Sequence, residues 1–165
     1  MSLVPPETYA LVGELLAPPV TVTLSQQDSQ RYAHACDDLN PVYFDPAAAS
    51  AAGHRALCVP PTFLQHAIVA TRPLADLRLD GLFKPSRSPE AKAIRLDVTR
   101  TMAGGDEWEW LEQIYVGDTI TAETRLASIE EKSGSKGAFV LTRTETAFKR
   151  DGQTVARVTV SGIAR

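Results

Sequence analysis

Ala138-Phe-Val-Leu-Thr-Arg-Thr-Glu-Thr-Ala-Phe-Lys149, the step Arg150-Asp-Gly152, and Gln153-Thr-Val-Ala-Arg-Val-Thr-Val-Ser-Gly-Ile-Ala164 decide the fold class. Both runs are rich in Thr, Val and other β-branched or aromatic residues, which suit a pleated surface. Between them stands Asp151-Gly152. A two-residue hairpin turn needs positive φ at both central positions, and Asp-Gly supplies that cheaply. The segment is therefore a long antiparallel hairpin. Working back along the chain, Thr119–Glu131 shows the same composition between the turn signals Gly117-Asp118 and Ser133–Gly137. Asp106–Tyr115 and Ala93–Met102 read as two further strands, with Gly104-Gly105 as the turn joining them. The second half is an antiparallel meander.

The first half reads differently. Val20-Thr-Val-Thr-Leu24 alternates and predicts a strand. Ser25-Gln-Gln-Asp28 predicts a helix start, a hydroxyl cap with an acid three residues on, and the helix runs to about Cys36. Asp37-Asp-Leu-Asn-Pro41 stops it, because a residue before proline is steered away from helical geometry. Asp45-Pro46 to Gly53 is a short helix with an Asp cap, Pro at its first position and Gly at its end. Pro60-Pro61 opens another, from Thr62 to about Thr71. Phe63, Leu64, Ala67, Ile68 and Val69 make it apolar nearly all round, which predicts a buried helix. Residues 73–92 read as a mobile loop ended by Lys84-Pro-Ser-Arg-Ser-Pro89 and its flank. Helices followed by a meander give an α+β domain, a long sheet wrapped around one central helix. Such a sheet keeps an edge, and long edges are paired or covered, so dimerisation is expected.

The whole chain, 165 residues, suits one domain spanning 1–165. Net charge is −3, so no global basic field draws the protein to nucleic acid. Two cysteines, Cys36 and Cys58, make neither a disulfide framework nor a zinc pattern. No apolar run approaches the roughly 18 residues of a membrane span, and residues 1–13 lack the marks of a signal peptide. A cytoplasmic protein is expected.

The stretch richest in chemistry is Tyr32-Ala-His-Ala-Cys-Asp-Asp-Leu-Asn-Pro-Val-Tyr-Phe-Asp-Pro46. Within it, Asp37-Asp38-Leu39-Asn40-Pro41-Val42-Tyr43 resembles the motif of the MaoC-like dehydratases and (R)-specific enoyl-CoA hydratases, which reads Gly-Asp-x-Asn-Pro-aliphatic-His. Asp45-Pro46 through Gly53, Val59-Pro60-Pro61-Thr62-Phe63, the run from Gly104 to Trp110 and Val116-Gly117-Asp118-Thr119 are also similar to that family. The likeness covers about residues 10–164 and points to its N-terminal, dehydratase-like branch. It implies a hot-dog fold and hydration or dehydration of 2-enoyl or 3-hydroxyacyl thioesters. It implies no metal and no organic cofactor, coenzyme A or an acyl carrier protein being part of the substrate. By the resemblance, Asp38 matches the catalytic Asp, and Asn40 the residue that braces its loop. Backbone N–H groups near Pro61, Thr62 and Phe63 would receive the thioester oxygen.

Tyr43 stands where the family has His. A phenol titrates near ~10 and an imidazole near ~6.5, so the dyad is incomplete on this chain. Two explanations follow: a substrate-binding subunit, in a homodimer or beside an Asp/His-bearing hot-dog partner, or a mechanism in which Asp38 works with Tyr43 or water. A purely structural, acyl-thioester-binding subunit and a hot-dog thioesterase are the rival functions. The thioesterase expects a carboxylate on the central helix, and 62–71 has none. Of the three histidines, His34 and His54 read as structural, and His66 on the apolar helix is a candidate pocket residue. Trp108 and Trp110 share one face of a strand, either as packing or as an acyl-pocket wall, with Glu107 and Glu109 on the opposite face. Arg55, Arg72, Lys84, Arg87 and Lys92 are candidates for a coenzyme A diphosphate or an acidic carrier, Arg87 foremost, although the 84–92 loop reads first as a solvated one.

Overall fold

A computed structural model of the chain describes residues 2–77, 79, 90–98, 100–135 and 137–165. The elements run α1 (Pro6–Tyr9), β1 (Val20–Thr23), α2 (Gln26–Ala35), α3 (Pro46–Ala51), α4 (Phe63–Val69), β2 (Thr101–Trp110), β3 (Thr119–Gly134), β4 (Gly137–Arg150) and β5 (Gln153–Ala164). The strands form one antiparallel sheet in the order β1-β3-β4-β5-β2. It is an α+β hot-dog, the sheet curving round α4. At the hairpin between β4 and β5, Asp151 and Gly152 have φ of 51° and 80°, the geometry that an Asp-Gly turn favours.

The core lies where the sheet meets α4. Phe63, Leu64 and Ala67 pack on Ile120, Ala122, Phe148, Val155, Ala156 and Val158. Burying one such large side chain contributes about 1.5–3 kcal/mol. A second cluster, Val4, Ile129, Val140 and Ala164, closes the other end of the sheet under Ile94, Leu96 and Val98.

Three expectations are corrected. The helix is shorter than 62–71 and buries one face only. His66 is exposed and Val69 is 36% exposed, because the sheet reaches α4 from one side. Residues 93–98 form no strand. Their alternating apolar side chains do pack inward, but the Asp97 N–H goes to Leu3 O (2.9 Å), so the segment pairs with the N-terminal arm instead of the sheet. Gly104-Gly105 is no turn: it is a β-bulge inside β2, where the register with β5 shifts between Ala103 and Gly105. Gly105 holds φ of 111°, and a Cβ on Gly104 would meet Ser161 Cβ at 3.0 Å. The bulge turned one expected hairpin into one edge strand, which then ends at Trp110 and not at Tyr115.

Among the described residues no helix is long and apolar enough to cross a membrane.

Candidate functional site

The site grows from the end of α2. Ser25 caps its start, accepting from the Asp28 N–H at 3.3 Å. At its end Asp37 takes the left-handed conformation, φ 55°. The Asp37 N–H then bonds to His34 O (3.2 Å) and the Asp38 N–H to Ala33 O (2.9 Å). These two bonds are those of a Schellman motif, here closed by Asp in the place usually taken by Gly. The reversal sets Asp38 immediately beyond the helix.

Asn40 then caps a single 3₁₀ turn, Pro41–Tyr43. Its Oδ1 accepts from the Val42 N–H at 3.2 Å, and its carbonyl from the Tyr43 N–H at 3.0 Å. This turn carries Tyr43 inward, to 8% exposure, against Ala33 and Cys58. Gln30 Nε2 holds the Tyr43 carbonyl at 3.1 Å. The Asp38 carboxylate lies near enough for its charge to act on the Tyr43 phenol. Burial, then the neighbouring Asp38 carboxylate, push that phenol up to about 12. Burial also raises the Cys58 thiol beside it. The phenol therefore stays protonated near neutral pH.

Behind Tyr43 runs a short two-stranded ribbon. Cys58 pairs with Tyr115, the Val59 N–H bonds to Ile114 O (3.2 Å) and the Val116 N–H to Leu57 O (2.9 Å). The Cys58 N–H reaches Val42 O at 3.1 Å, tying this ribbon to the 3₁₀ turn. The far side of the ribbon, Val59 and Ile114, helps line a cleft of about 330 Å³ with Pro61, Trp110, Leu111, Glu112 and Gln113. Trp110 is 41% exposed there and stacks on Trp108 (4.8 Å), which stacks on Phe148 (5.6 Å).

Asp38, Asn40 and Tyr43 are thus brought together, but the residues expected to bind substrate are dispersed. Pro61 lines the cleft. Thr62 shares a hydrogen bond with the Tyr32 hydroxyl at 2.7 Å. Phe63 lies in the core, and its N–H is taken by Pro60 O at 3.1 Å. His66 lines a different cleft with Thr23, Asp28 and Thr71, its ring 5.3 Å from Tyr32. His34 sits against Phe44 (5.0 Å) and His54 near Tyr115 (6.1 Å). Arg87, like Lys84, lies outside the described residues. Lys92 pairs with Glu14 at 2.9 Å. No three His, Cys, Asp or Glu among the described residues cluster as metal ligands do.

Sequence reasoning missed a buried charge network. Asp118, read there only as a turn residue, is buried and accepts from Arg55, from Arg150 Nη1 (2.7 Å) and from the Tyr115 N–H (3.0 Å). Burial alone would raise its carboxyl, but the Arg150 and Arg55 hydrogen bonds outweigh that and hold it below the usual range. Arg150 also bonds Glu112 and, at 3.0 Å, Gln113 O. Arg55, expected as a candidate for a phosphate, instead lies 4.3 Å over the Tyr115 ring and pairs with Asp118. The only sequence signal was a charged residue at the mouth of a Gly turn.

A family model described as "FAS1-like, dehydratase domain region" matches residues 10–158. The chain belongs to that family. A UPF0336 protein of Parafrankia sp. (strain EAN1pec) is 30% identical over 160 residues, which is 97% of this chain and 95% of that one. Another from Leifsonia xyli subsp. xyli (strain CTCB07) is 30% identical over 125 residues, 76% and 75% of the two chains. Among solved structures, a chain of the ChsH1-ChsH2 complex from Mycobacterium tuberculosis superposes with a TM-score of 0.70 at 18% identity, covering 95% of each. The HadBC (3R-hydroxyacyl-ACP dehydratase) complex of the same organism gives 0.66 at 18% identity, covering 93% of this chain and 96% of that one. At that identity the structural likeness is one of fold, and the fold is that of MaoC-like dehydratases.

Proposed function

We propose that this chain is the substrate-binding half of a hydratase/dehydratase that acts on 2-enoyl or 3-hydroxyacyl thioesters of coenzyme A or a carrier protein. The imidazole would come from an Asp/His-bearing hot-dog partner. The observation that carries this reading is the buried phenol of Tyr43, held protonated by burial and by the charge of Asp38, at the position where the motif it resembles has His. Hydration places a water oxygen on the β-carbon and a proton on the α-carbon, and dehydration reverses both. Something must accept the proton of the water at neutral pH. A phenol titrating at about 12 is not that base. Buried beside Asp38, it stays protonated and leaves no imidazole to share the water.

What the chain retains supports a binding role. The loop that carries Asp38 is capped and buttressed as for a working site. The cleft, in which Val59, Pro61, Trp110, Leu111 and Ile114 meet the polar Glu112 and Gln113, lies across the ribbon and is of a size at the low end of small-molecule sites. Pro61 and Trp110 are the proposed contacts of the acyl group; Arg87 is the proposed cation for a phosphate. The proposed reaction has no redox step: a C–O bond forms at the β-carbon while one proton leaves the water and one arrives at the α-carbon, and dehydration reverses these. Two of the solved structures it resembles are of complexes.

The test is loss of enoyl absorbance with crotonyl-CoA, for the chain alone and co-expressed with a hot-dog chain that carries an intact Asp-x-Asn-Pro-x-His motif. The expected result is turnover by the pair and none by the chain alone. Turnover by the chain alone, abolished by Asp38→Asn, would sink the half-site reading and make Asp38 a self-sufficient base.

A further inference from the structure

The sheet face turned away from α4 carries an apolar row at the end opposite the Asp151-Gly152 hairpin. Val140 and Ala164 point into the second core cluster. Phe139, Leu141 and Ile163 are their chain neighbours, so they point the other way. Met102 pairs with Ile163, and Ile163 with Leu141, so Met102 joins this row from β2. It is 53% exposed. Met102, Phe139 and Ile163 line a cleft of about 370 Å³ with Gly134 and Gly137. The glycines keep it open at the hairpin end. A Cβ on Gly134 would already touch Phe139 Cε1 at 3.5 Å, and Gly137 holds φ of 105°, which favours glycine.

The other end is cationic. Arg100 and Arg165 exchange both backbone hydrogen bonds, 3.0 and 2.9 Å. Arg100 stands two residues from Met102, and Arg165 two from Ile163, so both side chains leave the sheet on the face of the apolar row. They wall a second cleft, of about 510 Å³, which shares Met102 and Arg165 with the first. Neither forms an ion pair with a described side chain. Glu130, in the same row beyond Leu141, is already held by Lys132 (3.2 Å) and Arg143 (2.9 Å).

We infer that this surface binds a fatty carboxylate, its aliphatic chain over Met102 and Ile163 and its carboxylate on the guanidinium groups of Arg100 and Arg165. A guanidinium fork matches the two oxygens of a carboxylate and donates to both. An apolar hollow with its polar groups gathered at one end fixes the direction in which such a ligand lies. The hollow shape decides for a single chain and against a membrane, since a bilayer surface seats a raised apolar patch. The site is separate from the Asp38 loop and its cleft: Met102, Ile163 and the two arginines line no part of the cleft at Pro61 and Trp110. The inference therefore goes beyond the proposed function and does not rest on it.

The test is calorimetric titration of the full chain with octanoate below its micelle concentration, beside acetate and octyl glucoside. Octanoate is expected to saturate at one per chain and to bind more tightly than acetate, which has only the anion, or octyl glucoside, which has only the chain. Arg100→Gln with Arg165→Gln is expected to weaken it roughly tenfold or more, the worth of a charge-assisted hydrogen bond. Met102→Glu, which sets a carboxylate on the floor of the cleft, is expected to abolish the heat. Absence of saturable octanoate binding overturns the inference, as does equal binding of acetate or octyl glucoside. Loss in Trp110→Ala, with none in the arginine variant, puts the acid in the Trp110 cleft and overturns it too. Co-sedimentation with phosphatidylglycerol vesicles that the arginine variant loses, without octanoate binding, assigns the face to a membrane and overturns it. Circular dichroism checks each variant. Should Met102→Glu not fold, the arginine variant decides, because the bonds those two residues exchange are main-chain bonds. None of these readouts uses turnover, so a failed hydratase assay leaves them readable.

Discussion

The Tyr43 phenol is buried with the charge of Asp38 acting on it, across a turn that Asp37 reverses and Asn40 caps. A single ring thus separates this loop from the Asp/His pair of the motif it resembles. Replacing it is the direct question to ask. Tyr43→His is expected to give the chain alone a crotonyl-CoA hydration that wild type lacks, on the order of 10²-fold above the protein-free background, the low end of what a positioned base supplies. Tyr43→Phe is expected to stay at the wild-type level. An inactive Tyr43→His that still binds the substrate would show that the loop lacks more than its imidazole.

The same burial has a pH signature. The folded value of Tyr43, about 12, lies above the ordinary 10.0. The folded state therefore keeps a proton that the unfolded chain sheds. Its contribution to stability is full below pH ~10 and is lost as pH rises toward ~12. Of the four tyrosines, one should ionise last in a spectrophotometric titration, and Tyr43→Phe should remove that step.

Asp118 behaves in the opposite sense. Its folded value is depressed, so its contribution is present above the unfolded value of ~3.9 and is lost as pH falls below it. Asp118→Asn should cost roughly 3 kcal/mol, at the low end for breaking a buried pair, because the Arg55 side chain is 57% exposed. Urea unfolding of wild type and variant at pH 7 and at pH 3 checks this: the difference between them should shrink at the lower pH.

The cysteines should separate chemically. Cys36 is exposed, whereas Cys58 is buried against Tyr43 and its thiol is pushed up by that burial. Iodoacetamide at mildly alkaline pH should label Cys36 in the native protein and reach Cys58 only after denaturant is added. Equal labelling of both would mean that the ribbon behind Tyr43 opens.

Much of this was legible along the chain because the cause was local. Ser25 and Asp45 announced their helices, and Asp151-Gly152 its hairpin, since each satisfies groups within three residues of itself. The Asp38 loop was legible for the same reason, as a helix stop before Asn40-Pro41. What stayed hidden was decided at a distance. Ile94, Leu96 and Val98 alternate like a strand, yet their backbone partner is the N-terminal arm. Gly104-Gly105 carries the local signal of a turn, and only the approach of Ser161 makes it a bulge. Arg55, Asp118 and Arg150 meet from three remote segments, with no spacing to betray them.

That bulge also bears on how the molecule lives with an open sheet edge. A straight ten-residue edge would accept any passing strand and slide along it. One additional residue spoils every alignment whose two halves do not both tolerate the offset, and it bends the strand away from flat stacking. The glycines at 104 and 105 thus act as a key cut into an otherwise promiscuous surface, one that fewer neighbouring strands fit.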